Sequence, residues 1–439
     1  MKNRTQTLIT VILMLLFLTS VPLVLLNTAG YRINIRTRQL ERTGILILRS
    51  APPDAHILLD GVLQDERTPA RLSQLLPREY RVTAEREGYR PWSKLLTVES
   101  QRSTFAEDII LFPDQLPVRV ADAAARSLAV AVDGTLVYDD TTGSTTEIHF
   151  LRPNGEETTV TRVSHRSGGD QWLRLRWSPD GRTVLAFGDI APTLVSLDGA
   201  QRVLTVPGPL SEAVWSGQDL YLLADGRALV QSEDGATRPV TTSTAALLWR
   251  QEGLTYVGRA ATGTISVDVL AANGSILRSA LLRLPGNVGW YRFLPSPNGL
   301  LTLLGDGRVR VFDAESGATR IDRPAYDAVW RLDGTPELLL STNFEIWTVN
   351  PDDQAQLLTR LGAPIRGAAW YPGGTHVLYA SGDAVAAIER DDRGGRIITP
   401  LFTLPDLGAF IVDEKGAAVF AAAAPAGKPG IFRYPIVIP

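Results

Sequence analysis

The chain has no cysteine at all. Disulfides, zinc–thiolate centres and cysteine nucleophiles are therefore excluded. Histidine is nearly as scarce. Only His56, His149, His165 and His376 occur in 439 residues, and none has a partner at metal-ligand spacing, so no metal site is expected. No Gly-x-Ser-x-Gly elbow, no Gly-x-x-x-x-Gly-Lys-Ser/Thr loop and no His-Glu-x-x-His pair is present. Serine-hydrolase, P-loop and zinc-protease chemistry thus lack support, and no catalytic residue or cofactor is assigned. An excess of charge of one sign is missing too. Lys and Arg number 44 against 47 Asp and Glu, a net charge of −3. A nucleic-acid partner, which needs a clustered basic face, is not expected. Within the basic set lysine almost disappears, 4 against 40 arginines. Such a skew reads as coding bias and weakens any meaning attached to a single arginine.

What the chain does hold is apolar. It is 44% hydrophobic and 21% charged, enough to bury sizeable cores. Its length exceeds one ordinary domain. Residues 8–26 read LITVILMLLFLTSVPLVLL without a charge. At about 1.5 Å per residue this run can cross a hydrocarbon core of about 30 Å. A cleaved signal peptide is the competing reading. Its apolar region would be shorter and would end in a small-x-small site, which Asn27-Thr28-Ala29 does not supply well. The run is read as a single transmembrane helix after a short tail, 1–7, so the lipid bilayer is an expected partner. Lys2 and Arg4 precede it; Arg32, Arg36, Arg38 and Arg42 follow in the linker 27–43. The flanking basic count favours a cytoplasmic C-terminal part. The export-like start and the β-rich body favour the outside, and that is the orientation expected.

Residues 44–112 alternate in hydrophobicity with period two. Tyr80, Val82 and Ala84 share one face, while Arg81, Thr83 and Glu85 share the other. Asp60-Gly61 is a hairpin turn. Strands of five to eight residues with one apolar face predict a small antiparallel β-sandwich. The run Ser50-Ala51-Pro52-Pro53-Asp54-Ala55-His56-Ile57-Leu58-Leu59-Asp60-Gly61 resembles the opening of a PEGA domain. Thr68-Pro69, Leu75-Leu76-Pro77, Tyr80-Arg81-Val82 and Glu87-Gly88-Tyr89 are similar to its continuation. Two positions depart from that pattern: Asp54 and Arg78 stand where the family commonly has glycine. The resemblance implies a surface-associated, non-catalytic module, often beside a membrane anchor.

From 113 to 439 the chain repeats itself. Trp177, Trp215, Trp249, Phe293, Trp330, Trp370 and Ile411 are separated by 38, 34, 44, 37, 40 and 41 residues. Each lies near a turn rich in Asp, Asn or Gly and between short apolar runs. A period near 40 with such turns predicts a β-propeller. Eight units are expected, starting near Ser127, Gln171, Glu212, Ala246, Trp290, Asp327, Gly367 and Ala409, with seven the alternative. The last unit lacks a fourth strand, which Val118 to Ala121 can supply, tying the ring shut. Ser178-Pro179-Asp180-Gly181 and its relatives resemble turns of WD-type propellers in bacterial envelope proteins, such as the periplasmic propeller of the Tol system. They also resemble the propeller domains of prolyl oligopeptidase-like enzymes. The repeated tryptophans are read as packing between blades. Trp172, Trp290 and Trp347 fall outside that position and are candidate binding aromatics. The acidic pairs Asp139-Asp140, Asp352-Asp353 and Asp391-Asp392 lack calcium-loop spacing and are expected in solvated turns.

The expected fold class is all-β: one transmembrane helix, a PEGA-like sandwich, then a propeller. The expected protein is a non-catalytic, membrane-anchored scaffold of the cell envelope. Its partner would be an envelope protein or a cell-wall glycan. Two alternatives stay open: an enzyme processing envelope polysaccharide or peptide at the propeller channel, and a cytoplasm-facing interaction hub.

Overall fold

The computed structural model describes every residue except 1, 29, 35–38, 143–144, 165–172, 287–289, 414, 416 and 437–439. It divides into two compact units. One is Met1–Gln115 with Asp391–Ile397; the other is Leu116–Arg390 with Ile398–Pro439.

The first unit begins with a helix over Lys2–Thr28. Its 27 residues span about 40 Å. Thr19 and Thr28 donate their hydroxyls back to the carbonyls of Leu15 and Val24. Their polar groups are thus satisfied within the helix, as an apolar surround demands. A short hairpin pairs Tyr31–Asn34 with Gln39–Arg42, inside the stretch expected to be a plain linker.

Two sheets then face each other. One orders Val62–Arg67, His56–Leu59, Arg78–Glu85 and Trp92–Val98 side by side; the other sets Gly44–Ala51 between Ala70–Leu75 and Ser103–Ile110. Period-two patterning decides which side chains meet. Tyr80, Val82 and Ala84 are buried, and they join Leu46, Ile57 and Leu96 in one core. Each large apolar side chain so buried stabilises the fold by about 1.5–3 kcal/mol. The sandwich departs from an all-antiparallel one at a single pair, because Gly44–Ala51 and Ser103–Ile110 run parallel. Both departures from the family pattern have physical accounts. Asp54 has φ of 66°, the left-handed region that glycine serves elsewhere and that aspartate tolerates. Arg78 lies over the Tyr80 ring at 3.7 Å and pairs with Asp60 at 2.7 Å. Asp60 and Gly61 both have positive φ, 49° and 82°, as a two-residue hairpin turn requires. Lys94, its ammonium fully buried, is held by Asp391 within this unit, 2.7 Å to the carbonyl and 3.2 Å to the carboxylate.

The second unit is a ring of eight four-stranded antiparallel sheets. Seven are built from consecutive strands. The eighth joins Phe410–Val412, Ala418–Ala423 and Gly430–Pro435 to Val118–Ala121 from the other end of the unit. Their register sets Val118 opposite Arg433 and Ala121 opposite Ile431. Eight blades and this closing strand agree with the sequence reading. The second strand of each blade is buried on both faces, as Thr183–Gly188, Leu300–Gly305 and Ala418–Ala423 show. A blade between two neighbours needs a continuous apolar run there rather than alternation.

The turns follow one local chemistry. Asp133, Asp180, Asp198, Asp234 and Asn273 each precede glycine and accept the amide two residues on, at 2.9–3.1 Å. The following glycines have φ between 68° and 90°. The side chain mimics a backbone turn and glycine takes the conformation others avoid. The repeated tryptophans lie on the inner strands and reach to the preceding blade. Trp177 donates to Ala129 O at 3.2 Å, Trp370 to Val329 O at 3.1 Å, and Trp330 to Thr302 Oγ1 at 2.7 Å. Trp249 instead stacks on Phe293 of the next blade.

Thr302 is completely buried. Replacing Trp330 by Phe leaves its hydroxyl without this donor, a cost of about 1–3 kcal/mol. Trp330→Phe should lower the guanidinium unfolding midpoint of the protein accordingly; an unchanged midpoint would show that the bond carries no stability.

Candidate functional site

Each blade's first strand ends its sheet, so one hydrogen-bonding edge of every inner strand is left facing the centre of the ring. In an open sheet such edges invite aggregation; inside a closed ring they line a channel.

Among the described residues, two cavities lie along that channel. The larger, about 810 Å³, is walled by the inner strands of blades 6, 7 and 8, Asp327–Arg331, Ile365–Trp370 and Phe410–Val412. Its wall is mostly small or apolar: Val329, Gly367, Ala368, Ala369 and Ile411. A Cβ on Gly367 would come within 2.9 Å of the Phe410 ring, so the bare glycine makes room for it. Of the carboxylates of this cavity, Asp327 sits at the start of an inner strand, and Asp333 and Asp413 lie beyond the ends of theirs. Asp327 opens its strand, while Asp333 lies six residues on, about 20 Å of extended chain away. Asp333 accepts the Gly373 amide at 3.1 Å, and Asp413 accepts that of Lys415 at 3.2 Å, so both serve turns. Acid–base pairs that cleave glycosides stand about 5–10 Å apart.

The smaller cavity, about 260 Å³, lies where the inner strands of blades 2 to 5 begin. Arg174, Glu212, Ala246, Trp290 and Arg292 line it. Arg176 reaches Glu212 at 2.8 Å and Arg174 does so at 3.5 Å. Partial burial holds Arg174 below the usual arginine range; Glu212 opposes this, and the nearby charges of Arg176 and Arg292 add to it. Arg292 stands 4.0 Å from Asp327. Enclosure by the channel pushes the Asp327 carboxyl above the ordinary range, against Arg292 and the Ala328 amide. Half of its side-chain surface still opens into the channel, so the shift reflects surrounding protein more than lost contact with solvent.

Large aromatics are bare on one face of the ring. Trp290 and Tyr326 directly precede the inner strands of blades 5 and 6, and Phe344 lies in a second-to-third strand turn of blade 6. In an antiparallel blade both connections fall on the same face. Their exposures are 57%, 63% and 44%. Of the candidate aromatics, Trp290 is thus available. Trp347 is not: its indole donates to Glu345 at 3.0 Å and it packs against a core. Trp172 and His165 lie outside the described residues. His149 is buried against the Tyr138 ring, and His376 beside Thr375. Among the described residues no three His, Asp or Glu side chains gather as a metal site would need.

The expectation of turns at every acidic pair needs correction. Asp139 and Asp140 lie within a strand, Leu136–Thr142. Asp139 is buried and accepts the amides of Arg126 at 2.9 Å and Ser127 at 2.7 Å. It shapes the entry into blade 1, a task that no local spacing reveals. Sequence reasoning also passed over Arg174, Arg292, Tyr326 and Phe344. A signal existed for the arginines: they interrupt otherwise apolar inner strands, Leu173–Trp177 and Tyr291–Leu294.

Comparisons with known proteins agree with this architecture. Residues 43–107 match the PEGA domain family model. Among solved structures, the chain is similar to the C-terminal WD40 domain of Sif2, with a TM-score of 0.55 and 15% identity over 74% of this chain and 99% of that one. A mitotic checkpoint complex structure also aligns, with a TM-score of 0.39 and 11% identity over 73% and 89% of the two chains. No curated protein sequence matches. The chain therefore carries a PEGA domain followed by a propeller with the WD40 fold.

Asp327 also makes a testable statement about pH. A carboxyl whose folded pKa is raised resists ionisation in the folded state. Its contribution is favourable below the unfolded pKa of about 4 and is lost as pH rises through the folded value. Asp327→Asn, which keeps the acceptor for the Ala328 amide, should raise the urea unfolding midpoint at pH 7–8. The gain should be under about 1 kcal/mol, given the side chain's exposure, and should vanish below pH of about 4. A loss of stability at neutral pH would mean that the ionised form is the favoured one.

Proposed function

We propose that this chain is a non-catalytic, membrane-anchored binding or scaffold protein of the cell envelope, with its propeller as the recognition surface. The observation that carries the reading is the channel itself. It offers two cavities and exposed aromatics, while Asp333 and Asp413 accept turn amides and Glu212 is engaged by Arg176. A PEGA domain beside an apolar N-terminal helix supports attachment to a membrane. On this reading the helix Lys2–Thr28 stays as the anchor, the units that follow it face the extracytoplasmic side, and the partner is an envelope protein or a wall glycan. The arginines after the helix favour the opposite orientation, in which the ring would serve as a cytoplasmic hub.

The natural absence of cysteine makes the orientation measurable. Thr262 is exposed in a turn of blade 4. Thr262→Cys in the full chain should react with a membrane-impermeant maleimide on intact cells. Reaction only after lysis would place the ring in the cytoplasm and overturn the orientation. The same chain, cross-linked in cells and purified under denaturing conditions, should carry a discrete envelope protein or wall fragment. Turnover of wall polysaccharide or peptide by the purified protein would instead favour the enzyme reading.

A further inference from the structure

The small cavity at the start of the inner strands is lined by more cationic than anionic side chains. Two guanidinium groups, those of Arg174 and Arg292, line it from blades 2 and 5, with one carboxylate, that of Glu212. Glu212 is already engaged by Arg176 at 2.8 Å and by its neighbour's amide at 3.1 Å. Arg292 Nε is buried and has no hydrogen-bond partner among the described residues. A ligand oxygen placed beside this donor would complete it. The nearest carboxylate, Asp327, stands at 4.0 Å, beyond hydrogen-bond reach. Two residues before Arg292, Trp290 lines the same cavity and is 57% exposed.

We infer that this cavity is a binding site for an acidic glycan, taking one ring with its carboxylate on Arg292 and its C–H face on Trp290. The chemistry is specific at each point. A guanidinium presents its donors in a planar fork that matches a carboxylate. An indole is a broad apolar plate suited to the flat face of a sugar ring. At about 260 Å³ the space falls below that of pockets for drug-sized ligands; it suits one ring rather than a peptide segment. The inference rests on the binding reading above and narrows it to a ligand class.

The test uses the full chain in lipid nanodiscs and calorimetry with defined probes. A galacturonate tetramer should bind, more weakly as salt rises, while the neutral maltotetraose should not. Arg292→Gln and Trp290→Ala should each weaken galacturonate binding at least tenfold, and Arg292→Lys should weaken it less than Arg292→Gln. Trp290 is at the surface, so Trp290→Ala keeps the test valid if Arg292→Gln fails to fold. Absence of galacturonate binding, equal binding by both variants, or equal binding of maltotetraose would overturn the inference. Equally tight binding of polyglutamate would overturn it in favour of an acidic peptide. Partner capture in cells that survives while galacturonate fails to bind would sink this inference alone and leave the scaffold reading standing.

Discussion

One hydrogen-bonded ladder holds the larger unit together as a ring: Val118–Ala121 against Gly430–Pro435. The other seven blades are local in sequence, each a meander whose strands follow one another. Local meanders alone would stack into an open arc with two end blades, each exposing an apolar face. The ladder joins residues more than 300 positions apart and removes both ends at once. Its formation carries a long loop-closure cost, but that cost grows only slowly with length. The return is burial on both sides of the eighth blade, where Phe420, Ala421 and Ile431 are almost wholly enclosed. The channel exists only because the ring is closed, so every feature of the candidate site depends on this pairing.

Much of this was legible because the forces that build a propeller are short-ranged. An Asx turn needs two residues, an apolar middle strand needs five or six, and an inner-strand tryptophan marks five of the eight units. These signals repeat, so the period, the blade number and the supply of the last strand by Val118–Ala121 could be read from the chain. The parallel pairing of Gly44–Ala51 with Ser103–Ile110 could not, because an alternating strand does not say which neighbour it will take or in which direction. Asp139 was misread for a related reason. An acidic pair looks solvated until the fold brings the amides of Arg126 and Ser127 to it. The channel residues were invisible in a stronger sense: Arg174, Glu212 and Arg292 come from three different blades, and only ring geometry brings them into one space.

The same geometry explains how unlike residues share the inner strands. Every second residue must fit between blades, as Leu173 and Phe293 do in two of the cores. The alternate positions meet the adjoining blade close to the channel, where water still reaches. Polar groups there are tolerated at moderate cost if they pair, and Arg176 with Glu212 does so. A group enclosed without a close partner is costlier, and the raised pKa of Asp327 is one sign of that cost.

Arginine abundance alone therefore says little here, and the contrast among individual arginines says more. Arg308 meets Asp322 at 2.7 Å, and Arg323 meets Asp353 at 2.7 Å. Both are partly exposed pairs away from the inner strands. Exposed pairs of this kind contribute about 0–1 kcal/mol and could be exchanged for other polar residues with little effect. Arg292 differs in its partner. Its exposure is similar, 34% against 36% and 33%, but its closest carboxylate, Asp327, stands at 4.0 Å and is one whose pKa the surrounding protein raises. Coding bias can place an arginine at any position, but it does not explain why two line one cavity whose single carboxylate, Glu212, is already engaged by Arg176. Stability alone would favour a neutral or better-paired residue at 292. Its presence, beside an indole left bare at the mouth of the ring, is better explained by what the site receives than by what the fold requires.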